Sequence, residues 1–328
     1  MTKSFSRKVI ELQIILGQGD FAGTSGATGT SGATGTSGAG GAPGESGVSG
    51  NTKTIVGLPC EAEIKKPGLP DKNSASIKVT NLRYEDMEQL TMLAFKPLEL
   101  KKNLIRVRAG DEGGGNRPDL SVAFVGEISS ASADFNAAPD VVMKFEAQSG
   151  IYPQLKAAAP LSVSGEASAA QLIEQQAAEM GYAFENQGVS GSVRNAVFNG
   201  SPMKKAQDIA AQVGCEMIVD DGLIVIMKPG AARQGKAVLL TRETGMIGYP
   251  TFNQDGIVCR CLYNPDLQQG GLIKIDSLVP RASGTWKIVN LTHKLTAFKS
   301  GPWESNIEAH YQGSALDPGC SRIRSAGA

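Results

Sequence analysis

His293 and His310 are the only histidines in the 328-residue chain, so any imidazole base has to be one of them. Each sits in an alternating, strand-like run with no nucleophile motif beside it, which reads as a strand residue near an interface. The five cysteines, Cys60, Cys215, Cys259, Cys261 and Cys320, are odd in number and scattered, with no C-x-x-C pair and no histidine nearby. Cys259 and Cys261 alternate along one predicted strand, sharing a face but badly placed for a short disulfide. This usage points to small buried or half-buried residues in a reducing cytosol. Carboxylates are spread through strands and turns, so no acid pair for glycoside cleavage stands out. No G-x-S-x-G, H-E-x-x-H, Walker loop or dinucleotide fingerprint occurs. Gly113-Gly114-Gly115 follows a strand, but neither a helix nor a lysine comes after it, so it reads as a flexible turn. The sequence therefore assigns no catalytic, cofactor-binding or metal-binding residue and no cofactor, and it predicts no enzymatic activity.

Aromatic residues are the other candidates. Trp286 alternates with Ile288, as a residue packed in a sheet would. Trp303 follows Gly301-Pro302 at a strand start, where burial and contact with a partner both fit. Asp134-Phe135-Asn136 and Tyr249-Pro250-Thr251-Phe252-Asn253 read as turns with packed aromatics, and alternatively as interface loops.

The elements that must carry these residues are mainly β. Lys8–Leu16 and Thr52–Ile64 read as strands flanking an insertion, a hairpin with an enlarged tip. Ser76–Leu82, Leu104–Ala109, Ser121–Ile128 and Val141–Ala147 are further strands, with a short helix over Tyr84–Leu93. Residues 1–150 thus form an antiparallel β domain, a barrel or sandwich. Residues 151–235 change pattern. Ser168–Met180 and Pro202–Val213 are helices, each closed by a glycine and followed by a strand. The Gly181 and Gly214 junctions repeat at a spacing of 33, as a small α/β module with a duplicated helix-strand unit. Residues 236–312 return to β, and 313–328 form a flexible tail.

Lys+Arg and Asp+Glu both total 32, so no basic field grips nucleic acid, although a passive channel is compatible with that balance. The sequence shows no signal peptide and no apolar run of bilayer-spanning length, which predicts a protein without a membrane anchor.

Gly23–Thr52 is the one low-complexity stretch. Glycine occupies every third position from 23 to 50, giving ten G-X-Y triplets with only Pro43 for proline. Strict phase is what a collagen-like triple helix requires, because only glycine fits its axis. Scarce proline suits a solvated loop. Fully extended, the tract would span on the order of 90 Å and project from its domain.

Several stretches resemble the baseplate hub proteins of contractile-tailed phages and prophages. They are S-A-S-I-K-V-T-N-L (74–82) followed by E-D-M-E-Q-L-T-M-L (85–93), V-A-F-V-G-E-I (122–128), the helix-glycine pair, and above all Gly245–Leu267. The 23–52 tract departs from that pattern. The resemblance implies two tail-tube-like antiparallel β-barrel domains per chain and a homotrimer whose six barrels continue a hexameric tube. It also implies partners: a trimeric tail spike protein, tail tube or distal tube proteins, other baseplate proteins, and DNA only as passing cargo. The expected place is the virion baseplate, assembled in the host cytoplasm. A spike or hub of a related injection or secretion system, or a host-surface adhesive module using the G-X-Y tract, are the alternatives.

Overall fold

The computed structural model describes residues 6–16, 47–49, 51–68, 71–91, 103–112, 119–136, 138–155, 158–254 and 256–311. Most of the triplet tract, the Gly113-Gly114-Gly115 turn, the end of the helix expected to reach Leu93, Cys320 and the tail lie outside them. Two compact units form. The first takes residues 1–63, 75–148 and 294–302; the second takes 64–74, 149–293 and 303–328.

The first unit is built from β1 (Lys8–Ile15), β2 (Gly47–Ser49), β3 (Thr52–Val56), β4 (Cys60–Lys66), β5 (Ser74–Thr80), α1 (Tyr84–Leu90), β6 (Leu104–Asp111), β7 (Asp119–Asp134) and β8 (Val142–Gln148). The strands run in the order β4-β5-β8-β7-β6-β1-β3-β2. Alternation sends Ile10, Leu12 and Ile14 inward from β1, and Ile105, Val107 and Ala109 inward from β6, as a two-residue side-chain period requires. The hairpin read from the sequence is present: β1 pairs antiparallel with β3, Glu11 opposite Val56 and Ile15 opposite Thr52. The expected single strand over 52–64 is two strands, because Gly57 at φ 81° turns the chain ahead of Pro59. Gly47–Ser49, the ninth triplet, pairs with β3, so the repeat ends as a β ladder.

Sixteen-residue β7 was legible only in its first half. That half pairs with β6 and the second half, Ser130–Asp134, pairs with β8, with irregularities in register at each partner. The second half is all small and polar residues; pairing, not propensity, makes it a strand. Inside the unit, Lys53 of β3 forms a buried ion pair with Asp86 of α1, which fixes that short helix against the sheet.

The second unit opens with α2 (Ile151–Leu155), β9 (Leu161–Ser162), β10 (Glu166–Ser168), α3 (Ala169–Met180), β11 (Ala183–Gln187), β12 (Ser192–Arg194), β13 (Val197–Phe198), α4 (Pro202–Val213), β14 (Glu216–Asp220) and β15 (Leu223–Met227). The duplication is visible at both helix ends. Ser168 and Ser201 stand at the N-caps, and Ser201 Oγ accepts from the Lys204 N–H. Gly181 (φ 77°, ψ 28°) and Gly214 (φ 67°, ψ 35°) close the helices in the left-handed conformation, each N–H reaching back to two alanine carbonyls. The strands that follow, β11 and β14, lie on either side of β15. Ile173, Ala177 and Met180 of α3 pack with Ala206, Ile209 and Ala210 of α4 in one apolar core.

The repeat is not exact. Gln176 is buried where the second unit of the repeat has Ile209, and its Oε1 has no hydrogen-bond partner. An orphaned buried polar atom costs about 1–3 kcal/mol. Gln176→Ile is therefore expected to raise the urea midpoint, with a gain of about 1 kcal/mol; an unchanged or lowered midpoint would show that the glutamine is held.

The remainder of the unit is β16 (Val238–Leu240), β17 (Met246–Phe252), β18 (Ile257–Leu262), β19 (Leu272–Ile275), a 3₁₀ turn (Pro280–Ala282), β20 (Gly284–Ala297) and β21 (Trp303–Tyr311). The order is β17-β18-β21-β20, with β19 joining β20 to β16. Leu240, Cys259, Ile273, Trp286 and Ile307 share its core, and Trp286 Nε1 donates to the Ala282 carbonyl at 2.9 Å. The expected turn over 249–253 is mostly strand: Tyr249–Phe252 belong to β17. That strand lies at the end of the sheet order and its register shifts between Ile247 and Thr251. An end strand tolerates Pro250 because no ladder bond is lost on its open side.

Candidate functional site: a buried charge cluster and the surfaces around it

A cluster of ionisable groups lies in the second unit. β4 carries Lys66 into it immediately before Pro67, and the Asp221-Gly222 turn joining β14 to β15 carries the acids. Lys66 Nζ lies 2.8 Å from Asp220 Oδ1 and 2.7 Å from Asp221 Oδ2. Asn73 Nδ2 donates to Asp220 Oδ1 at 3.1 Å and to the Val219 carbonyl at 3.2 Å. Arg233 Nη1 stands 4.0 Å from Asp220 Oδ2. Burial alone would lower the Lys66 pKa, but the Asp220 and Asp221 carboxylates outweigh it and hold the ammonium above the ordinary lysine range. A lysine held charged this firmly is a structural cation, not a base.

His293 sits nearby, buried, with Nδ1 2.8 Å from Ser305 Oγ. Tyr263 meets its ring edge-on at 5.1 Å and meets Trp303 at 5.6 Å. Burial first, then the Lys66 charge, pushes the His293 pKa down to about 3, with Asp220 opposing. The imidazole is neutral at physiological pH. Below the ordinary histidine value of 6.5 the unfolded chain takes up a proton that the folded chain refuses, so stability is present above that pH and lost as pH falls toward 3. His293→Asn is expected to flatten the slope of urea midpoint against pH in that window. An unaltered slope would remove the assignment.

The cysteine thiols are equally quiet. Burial pushes Cys60, Cys259 and Cys261 up to about 12, and raises half-buried Cys215 as well. His310 is half-buried near the end of β21, and no cluster forms around it. Among the described residues no three His, Cys, Asp or Glu side chains come together as metal ligands, and no helix is long and apolar enough to cross a membrane. A cleft in the same unit is lined by Asp71, Lys72, Asn73, Ser149, Gln154 and Gln207.

Lys66 is not among the candidates drawn from the sequence, because Pro67-Gly68 directly after it signals a turn. The available signal was the alternation Cys60, Ala62, Ile64, Lys66, which puts the lysine on the buried face. Of the sequence candidates, Trp286 is buried, whereas Trp303 is half-buried against Tyr263.

The surfaces of the two units carry paired charges and exposed aromatic and aliphatic side chains. On the first unit, opposite charges pair: Arg108 with Glu11 at 3.0 Å and Lys144 with Asp134 at 2.7 Å across strands, and Lys299, just past β20, with Glu61 at 2.8 Å. Tyr84 and Phe135 are exposed together, ring centroids 6.2 Å apart. On the second unit Tyr249, Phe252, Leu262 and Leu278 are exposed, the last at 80%.

No curated protein matches the chain in sequence. Solved structures do match its fold. A tail protein from Neisseria meningitidis MC58 aligns with TM-score 0.53 at 10% identity, covering 78% of this chain and 93% of that one. The 43 kDa tail protein of prophage MuSo2 from Shewanella oneidensis aligns with TM-score 0.53 at 8% identity, over 81% and 94%. A type VI secretion system component of E. coli, described as structurally similar to the T4 tail proteins gp27 and gp5, aligns with TM-score 0.50 at 10% identity, over 79% and 77%. The sequence profile of the baseplate hub gp41 family matches residues 48–301. With that match spanning most of the molecule, and a mainly antiparallel β fold shared with phage tail proteins, the chain belongs to the baseplate hub gp41 family.

Proposed function

We propose that this protein is the structural hub of a contractile phage tail baseplate: a homotrimeric ring that joins the tail tube to a central trimeric spike and opens for genome ejection. The observation that carries the reading is the family match over residues 48–301. The folding of both units around antiparallel sheets is consistent with two tube-like domains per chain, so that three chains would present six to a hexameric tube. Other baseplate proteins would dock around the ring, DNA would cross it as cargo, and the protein would reside in the virion after assembly in the host cytoplasm. It would act without cofactor or metal and without enzymatic activity; absence of clearing on a peptidoglycan zymogram is the expected result. Residues 1–150, 151–235 and 236–312 would serve as first tube-like domain, α/β module and second tube-like domain.

The tract emerges between β1 and β3. Gly47–Ser49 belongs to the sheet, and residues 23–46 of the tract lie outside the described residues.

Light scattering across a range of concentrations tests the assembly. A mass of three chains is expected, either alone or on addition of the cognate spike. A protein that stays monomeric with spike and tube proteins present would overturn the ring. The secretion-system reading is favoured by the E. coli match. It would replace the phage reading if antibody against the chain labels cell-envelope assemblies instead of tail tips in electron micrographs.

A further inference from the structure

We propose that Asn199 is a site of spontaneous deamidation, and that the fold accommodates the carboxylate it produces. Asn199-Gly200 is the one Asn-Gly dipeptide in the chain. It lies in the link between β13 and the Ser201 cap of α4, and both residues are exposed. Among the described residues no hydrogen bond holds the Asn199 side chain or the Gly200 N–H. Gly200 adopts φ +104° and has no side chain to shield its nitrogen. The amide nucleophile and the amide carbon are therefore both open.

The reaction needs only solvent. The Gly200 backbone nitrogen loses its proton and bonds to Asn199 Cγ. The Cγ–Nδ2 bond breaks and ammonia leaves with that proton. The resulting five-membered succinimide is then opened by water at either carbonyl, giving aspartate or isoaspartate at position 199.

Two observations show how the product fits. α4 has no acidic residue in its first turn, so the new charge would be the first to complement the positive end of that helix dipole. The 33-residue repeat also places Asn199 opposite Glu166, two residues before the Ser168 cap of α3. The first unit of the repeat thus already carries a carboxylate there, accepting from Ser192 and Arg194. Opening to aspartate would place a carboxylate at this position in both units of the repeat.

Asn195, four residues upstream, is the internal control. Its Oδ1 accepts from the Gly165 N–H at 2.8 Å and it is followed by alanine. Both asparagines fall in the tryptic peptide Asn195–Lys204. The full-length protein would be aged in mildly alkaline buffer, then digested and sequenced by mass spectrometry beside the synthetic peptide aged in parallel. Gain of about 1 Da at Asn199 and none at Asn195, at a rate within a few-fold of the free peptide, is expected. A folded rate roughly tenfold or more below the peptide's would mean the loop is locked against attack and would overturn the site. Asn199→Asp is expected to keep the melting temperature of the parent; a clear drop would overturn the claim that the fold accepts the charge.

Discussion

Lys66→Met is expected to destabilise the second unit by about 3–5 kcal/mol, because it removes the buried cation that Asp220 and Asp221 share, Asp220 itself being buried. Asp220 and Asp221 both lie within 2.8 Å of the ammonium, whose side chain is 6% exposed. Arg233, 4.0 Å from Asp220, makes the longer of that carboxylate's ion pairs. The chain has two tryptophans, Trp286 and Trp303, both in the second unit, so tryptophan fluorescence during urea unfolding reads this unit by itself. A triple variant, Lys66→Met with Asp220→Asn and Asp221→Asn, removes the carboxylate charges as well and is expected to recover much of the loss. If the single and triple variants unfold alike, the cost lies in packing the stem and not in the charges. The pH dependence gives a second check. A lysine raised in the folded state contributes stability that is full below the unfolded value of 10.5 and declines as pH climbs toward the folded value. The wild type should weaken on the alkaline side, and Lys66→Met should lack that component.

The cluster also marks where the sequence stops being legible. Alternation in β1, β6 and β8 and the paired helix-glycine junctions could be read directly, since one face of each element is apolar and the period is local. Lys66 could not, because Pro67-Gly68 signals a turn and lysine signals solvent; only the distant Asp220 and Asp221 make burial affordable. The small, polar second half of β7 and the Pro-containing β17 failed for a related reason. Both are strands by virtue of a neighbour, or of an open edge, that lies elsewhere in the chain. The hub assignment was legible for a different cause again, through a resemblance carried by runs such as Gly245–Leu267, which lie within the stretch that the family profile matches. A protein whose work is docking leaves its signature in order and pattern, not in a constellation of acids and bases.

Phe124→Ala is expected to cost about 3–5 kcal/mol in the first unit, at the upper end for an aromatic deletion in a closed core. Phe124 is fully buried on β7, opposite Val107, and its ring lies over Gly126 two residues on along the same face. A Cβ at position 126 would stand 2.5 Å from the ring and 2.9 Å from the Gln148 carbonyl oxygen. The glycine exists to admit the ring, and the ring fills the space the glycine leaves. Gly126→Ala alone should therefore cost about 1–3 kcal/mol through forced displacement. In the Phe124→Ala background the ring contact is absent and only the carbonyl contact remains, so the same change should cost less. The coupling in this double-mutant cycle is expected to reach about 0.5–3 kcal/mol. Both tryptophans are blind to this unit, so hydrogen exchange at the amides of β6 and β7 is the measurement to use. Strict additivity would mean that the backbone at Gln148, not the aromatic ring, dictates glycine at 126.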